Sequence, residues 1–203
     1  KLDHESSGNP EEGEIVIYGH CVMKGYHGLA DETAKANDAQ GGFRTGDLGK
    51  FDKDGYLSIT GRIKELYKLE NGKYVAPVAL EEKIQLSPFI AQSMVFGANK
   101  PFNTALIVPD FSSLEPWAKE QGLDASKRDL LCVHDKVRAL IKAEIEKYAH
   151  DFKGFEGIRD LMLVPEEWST TNDLLTPKMS MKRRNIVARF QKELDAMYAG
   201  GNG

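Results

Sequence analysis

The chain is poor in several things that would narrow its function. It has only 2 cysteines in 203 residues, Cys21 and Cys132, far apart and in no metal or redox motif. They suit a reducing compartment, where a free thiol behaves as a small buried hydrophobe. No apolar run approaches the ~20 residues needed to span a bilayer. The opening K-L-D-H-E-S-S-G-N-P-E-E-G is acidic and polar, without the apolar segment of a signal peptide. There is no excess of positive charge: 27 Lys and Arg against 31 Asp and Glu leave a net charge of -4. That argues against a nucleic-acid surface, which needs a basic face. Internal repeats and low-complexity tracts are absent, and His20, His27 and His134 show no ligand spacing, so we read all three as structural.

What remains is an ordinary globular composition, 41% hydrophobic and 29% charged. The length allows one fair-sized core, or one domain plus part of another. The first 60 or so residues read as strand-rich. Residues 1 to 13 are expected as loop, followed by the strand G-E-I-V-I-Y-G. Residues 31 to 38 read as a short exposed helix with Asp31 as its N-cap. Strands are expected at Leu48 to Phe51 and Tyr56 to Ile63, joined at D-K-D-G, whose Asp54-Gly55 pair readily supplies the angles of a tight turn.

After Ile63 the character changes. Glu65 to Leu69 reads as extended and Asn71-Gly72 as a turn. Pro77 opens a helix through about Leu86, which Ser87-Pro88 stops. Ile90 to Gly97, Thr104 to Pro109 and Ile158 to Val164 are apolar enough for core strands, and residues 110 to 121 read as a helix. Between 126 and 150, Leu130, Val133, Val137, Leu140, Ile141, Ile145 and Tyr148 recur at helical spacing, with Ser126 as the expected cap. Ile186, Val187, Phe190, Leu194, Met197 and Tyr198 mark a closing amphipathic helix. The fold class is therefore mixed α/β. The boundary is expected at Gly61 to Glu65, with 1–63 and 64–203 as the two parts.

Singly, each candidate site is ordinary. Asp47 in R-T-G-D-L-G could cap a turn. Arg62 and Lys64 in one strand would point the same way as solvated charges. Lys178, Lys182, Arg183 and Arg184 could be a charged loop, although basic residues at a helix start oppose its dipole and hint at another purpose.

Their order changes the picture. G-E-I-V-I-Y-G-H-C-V-M-K-G-Y, F-R-T-G-D-L-G, D-G-Y-L-S-I-T-G-R-I-K-E, N-G-K-Y-V-A-P-V-A-L-E and L-T-P-K-M-S-M-K-R-R follow one another. From Gly13 to about Tyr198 this resembles the C-terminal part of the acyl-adenylate-forming enzymes, and K-L-E-N-G-K-Y-V-A-P looks most like their long-chain fatty acyl-CoA synthetase branch. The resemblance implies the small C-terminal domain of such an enzyme, a mixed sheet with flanking helices, preceded by a strand-rich remnant of the large domain. It implies ATP and CoA as co-substrates, a fatty acid as the acid, acyl-AMP plus pyrophosphate in a first step, and acyl-CoA plus AMP in a second.

It also implies roles. Asp47 would hold the ribose hydroxyls, since an ionised carboxylate is acceptor-only and can take a hydrogen bond from each of two vicinal hydroxyls. Arg62 would reach the nucleotide through its fork of donors. Lys64 falls on the hinge position, and the loop around Gly72 would line the thiol tunnel. The adenylation lysine is assigned to Lys182. Lys178 stays open as the alternative, because P-K-M-S-M-K is one residue shorter than the family form and carries Met181 in place of its glycine. A second departure is Pro77-Val78-Ala79, where a glutamate is often found soon after the proline.

No T-S-G-S-T-G-x-P-K-like phosphate loop and no acidic Mg²⁺ segment is present, and the chain lacks an initiator Met. The expectation is a fragment, inactive alone, whose partner is its own large N-terminal domain and whose Mg²⁺ ligands lie there. The expected location is cytoplasmic, with peripheral membrane contact left open. Two other readings remain: a non-catalytic module with the same fold, or a ligase for another carboxylic acid.

Overall fold

Short β-branched segments punctuated by glycine cannot bury a face singly, so the N-terminal part of the chain pairs them side by side. A computed structural model describes residues 1–4 and 11–199. In it β1 (Leu2–Asp3), β2 (Gly13–Ile17), β3 (Phe43–Phe51) and β4 (Leu57–Arg62) form one antiparallel sheet in that order. Ile15, Val16 and Leu48 are its buried apolar residues. The D-K-D-G turn forms as expected, with the Asp52 carboxylate accepting from the amides of Asp54 and Tyr56, both at 2.9 Å.

Several details differ from the sequence reading. Leu2 and Asp3 pair with β2 instead of lying in a loop; residues 5–10 of that expected loop fall outside the described residues. Helix α1 spans Ala30–Ala36 and starts from Leu29 with no side-chain cap. Asp31 therefore sits inside the first turn, where its charge complements the helix dipole. β3 begins at Phe43 and not Leu48, so the T-G-D motif lies within a strand.

A 3₁₀ turn, Ile63–Glu65, follows β4, so Arg62 and Lys64 do not share a strand face. β5 (Tyr67–Lys68) and β6 (Tyr74–Val75) form a small hairpin in place of a longer extended run. The chain divides into two compact units, Lys1–Tyr67 with Tyr74–Ala79, and Lys68–Lys73 with the residues from Leu80 onward.

Helix α2 (Pro77–Ile84) leads into the second unit. Its sheet runs β7 (Ile90–Phe96), β8 (Asn103–Pro109), β9 (Ile158–Leu163), antiparallel between the first pair and parallel between the second. Every residue of β8 is buried. Alternation sends Ala105 and Ile107 to one core and Leu106 and Val108 to the other. Leu80 and Ile84 of α2, Phe111, Leu114 and Ala118 of α3 (Phe111–Glu120), and α4 (Arg128–Val133) and α5 (Asp135–Tyr148) cover the first face. Trp168, Leu174, Leu175, and Ile186 and Leu194 of α6 (Arg183–Arg189) and α7 (Gln191–Ala199) cover the second. Each fully buried Leu or Ile is worth roughly 1.5–3 kcal/mol.

Asp110 caps α3 by accepting from the Ser113 amide at 3.2 Å, and the Ser112 hydroxyl holds its carboxyl below the usual range. The Tyr198 hydroxyl ties α7 to the sheet by donating to the carbonyls of Phe96 and Phe102, at 3.0 and 3.2 Å. Burial pushes that phenol up to about 12. Among the described residues no helix is long and apolar enough to cross a membrane.

Two long helices read from periodicity are each broken. The 126–150 helix splits at His134, whose extended backbone ends α4 and whose Nδ1 caps α5 by accepting from the Lys136 amide at 3.1 Å. Ser126 caps neither; it hydrogen-bonds Asp124. The break re-phases α4, burying Leu131 and Cys132 and leaving Leu130 and Val133 exposed. The closing helix breaks at Phe190.

Burial also pushes the Cys132 thiol up to about 12, whereas Cys21 is exposed. Because the thiolate is the nucleophile, iodoacetamide at pH 8 is expected to label the native chain at Cys21 alone, with Cys132 reacting only in denaturant. Mass spectrometry of the intact protein reads the count, and rapid double labelling of the native form would contradict the packing of α4.

Candidate active site

In the first unit the candidate residues come from facing strands. Asp47 on β3 lies directly opposite Arg62 on β4, and their side chains pair at 2.7 Å between Oδ1 and Nε. The contact uses one carboxylate oxygen and one of the guanidinium's five donors. Arg62 is largely exposed, so the pair adds little stability.

Asp47 is aimed by its neighbours. Gly46 has a backbone φ of +73°, which only glycine adopts readily, and this bends the strand just before Asp47. The Asp47 amide donates to Thr45 Oγ1 at 3.0 Å, and that hydroxyl donates to the Ile15 carbonyl at 2.8 Å. Gly49 acts differently from a turn glycine: a Cβ there would meet the Ser58 carbonyl oxygen at 2.9 Å, so its role is close approach of β4.

The bend rests on a residue the sequence reading passed over. Glu14 on β2 is buried; its Oε1 accepts from the Gly46 amide at 3.1 Å and its Oε2 pairs with Arg44, which also pairs with Asp3. The Asp3 hydrogen bond leads the interactions that raise the Arg44 pKa. A glutamate in the alternating G-E-I-V-I strand was the available signal, but its partner lies 30 residues away.

The second unit holds the lysine motif. Leu174 and Leu175 anchor it in the core, and Leu175 pairs with Met181 across a tight loop. The Thr176 amide donates to the Ser180 carbonyl and the Met179 amide to the Thr176 carbonyl, both at 2.8 Å. Lys178 is exposed within this loop. Lys182 sits at its base, half-buried, with its amide donating to the Leu174 carbonyl at 2.9 Å. Its ammonium pairs with Asp173, a residue in left-handed backbone (φ +60°) whose Oδ2 also accepts from Asn185 Nδ2 at 2.8 Å. Arg183, at the start of α6, turns inward and pairs with the buried Glu81.

The structure thus brings Asp47 and Arg62 together, in one unit, and places Lys182 in the other. Lys64 is exposed in the 3₁₀ turn after Arg62. Gly72 is exposed in the β5–β6 hairpin loop, its amide donating to the Leu69 carbonyl at 2.9 Å. Among the described residues no group of three or more His, Cys, Asp or Glu could hold a metal ion. An open depression of about 540 Å³ near Tyr26, Thr33 and Asn37 includes none of the candidate residues.

Residues 65–202 match the AMP-binding enzyme C-terminal domain. The chain belongs to this family. It is 37% identical over 191 residues to a long-chain-fatty-acid CoA ligase of Cavia porcellus, covering 93% of this chain and 27% of that protein. A putative fatty-acid CoA ligase of Mycobacterium tuberculosis is 36% identical over 190 residues, covering 93% and 33% respectively. The chain spans a third or less of the length of these curated relatives. Among solved structures, the adenylation domain of a carboxylate reductase from Mycobacterium chelonae superposes with a TM-score of 0.75 at 25% identity, over 98% of this chain and 30% of that one. The adenylation domain from Segniliparus rugosus, solved with AMP and a carboxylic acid, shares the fold with a TM-score of 0.71 at 24% identity, over 93% of this chain and 28% of that one. The expected fold class, a mixed sheet with flanking helices preceded by a strand-rich piece, is the observed one.

Gly46 offers a test of the local geometry. No atom lies near a Cβ built on it, so a Gly46→Ala change meets no clash and only the unfavourable φ. It is expected to cost about 1–2 kcal/mol of stability in urea unfolding; no loss would show that the bend before Asp47 does not need glycine.

Proposed function

We propose that the chain is the C-terminal portion of an ATP-dependent, AMP-forming acid–thiol ligase that joins a long-chain fatty acid to CoA. What carries this reading is similarity to fatty-acid CoA ligases across 93% of the chain together with the Asp47–Arg62 pair. In the first step a carboxylate oxygen attacks the α-phosphorus of ATP and pyrophosphate leaves. In the second the CoA thiol attacks the acyl carbon and AMP leaves.

In this reading Asp47 accepts hydrogen bonds from the two ribose hydroxyls, and Arg62, held by its Nε contact, directs its remaining donors at the nucleotide. Lys182 supplies positive charge where negative charge accumulates as one anion attacks another; a group of this kind is worth roughly 3–4 kcal/mol of barrier. We take Lys182 and not Lys178 because Lys182 is held at the base of its loop by backbone and side-chain contacts.

Lys64, in its exposed 3₁₀ turn, serves as the hinge between a large-domain remnant, residues 1–63, and a mobile small domain from 64 onward. The Gly72 loop lines the path of the thiol, where a glycine lets an extended arm approach the backbone. Mg²⁺ would neutralise phosphate charge, and its ligands would come from outside the described residues, which hold no group of three or more His, Cys, Asp or Glu fit for a metal ion.

In the full-length protein assayed with ATP, CoA and fatty acids of graded length, Lys182→Ala is expected to lower acyl-AMP formation by about 10²–10³-fold, read as pyrophosphate release. Thioester formation from supplied acyl-AMP should persist. Equal loss of both steps would overturn the role given to Lys182, and loss only in Lys178→Ala would transfer it.

A further inference from the structure

The least expected charge in the second unit is Glu81. It lies on α2 with 2% of its surface exposed, next in sequence to Leu80 of the apolar core. Its Oε1 accepts from the Val95 amide of β7 at 2.6 Å, and its Oε2 pairs with the guanidinium of Arg183. Arg183 also reaches the Val95 carbonyl at 3.4 Å. A basic first residue opposes the dipole of α6. Its placement makes sense only if the side chain is wanted elsewhere, and it is turned back into the sheet.

A buried ion pair is a poor source of stability, because a well-packed apolar pair of similar volume often does as well or better. What it does supply is a fixed direction. Arg183 is covalently next to Lys182, so anchoring its guanidinium to β7 and α2 fixes the backbone immediately after Lys182. The bond from the Lys182 amide to the Leu174 carbonyl fixes it immediately before. The Glu81 anchor, with the Val95 carbonyl beside it, lies outside the loop, on α2 and β7.

We propose that Glu81 is a positioning residue for Lys182, acting through Arg183. The proposal rests on the reading of Lys182 as the residue that assists acyl-AMP formation. It accounts for a core carboxylate and a misplaced helix charge with one geometric purpose.

The test uses the full-length ligase with Glu81→Gln, which keeps an oxygen for the Val95 amide but removes the charge facing Arg183. Arg183→Lys keeps the charge but not the fork that reaches two acceptors, and Lys182→Ala is the control. Both positioning variants are expected to lower kcat for acyl-AMP formation by roughly 10–100-fold, the scale on which small misplacements act. The KM for ATP and thioester formation from supplied acyl-AMP should stay within about twofold. If Glu81→Gln melts below the assay temperature, Arg183→Lys carries the test.

Equal decline of both half-reactions, or no change in either, would overturn the proposal and leave Glu81 a purely architectural residue. If Lys182→Ala still makes acyl-AMP at the normal rate, it is the underlying reading that fails. If Lys182→Ala is dead while both positioning variants work normally, only the present inference fails.

Discussion

The architecture of the second unit depends on one strand being dry on both faces. β8 pairs with β7 on one edge and, over Asn103–Ile107, with β9 on the other, so the sheet itself supplies partners for its buried backbone groups along that stretch. With that settled, alternate side chains can feed two separate apolar cores. Each core must then be covered, and the covering elements carry Glu81 and Lys182. On one face α2 brings Glu81; on the other, the segment after Val164 brings the lysine loop and α6. The sheet is thus the frame on which Lys182 is mounted, and Val95, near the C-terminal end of β7, is the point where both covering elements are fastened.

The two units solve the same problem in different ways. In the first, the Asp47 carboxylate is steered by strand register, a left-handed glycine and a buried glutamate, Glu14, that accepts from the backbone at the bend. In the second, a buried glutamate grips a side chain instead. Both place an uncompensated-looking charge inside and give it an arginine: Arg44 for Glu14 and Arg183 for Glu81. Burying a charge without such a partner would be costly, so each arginine is a structural requirement as well as a positional one.

How much of this could be read from residues alone follows from how local each cause is. The D-G turn, the apolar runs of β7 and β8 and the order of the motifs depend on neighbours in sequence, and they were legible. The breaks at His134 and Phe190 were not, because helical periodicity reports which face is apolar and says little about where the helix stops. Once His134 interrupts the run, its own α4 face shifts, which is why Leu131 is buried where Leu130 was expected. The T-G-D motif looked like a loop because glycine flanks it, yet Gly46 and Gly49 fit within a strand whose pairing register shifts at Leu48. Arg62 and Lys64 looked like one strand face until the 3₁₀ turn intervened. Glu81 was invisible because its partner is 102 residues distant.

The connection between β8 and β9 has a bearing on how the chain acquires its shape. Pairing β7 with β8 needs only a tight reversal, but β9 must return in parallel after α3, α4 and α5 have been laid over one face. Loop closure over that distance is slow relative to the neighbouring hairpin. The opposite face is covered later still in the chain, since Met94, Leu106 and Val108 pack with Trp168, Leu174, Leu175, Ile186 and Leu194. In chain order the lysine loop follows all three strands of the sheet, so the face bearing Met94, Leu106 and Val108 has to wait for the last part of the chain to be covered.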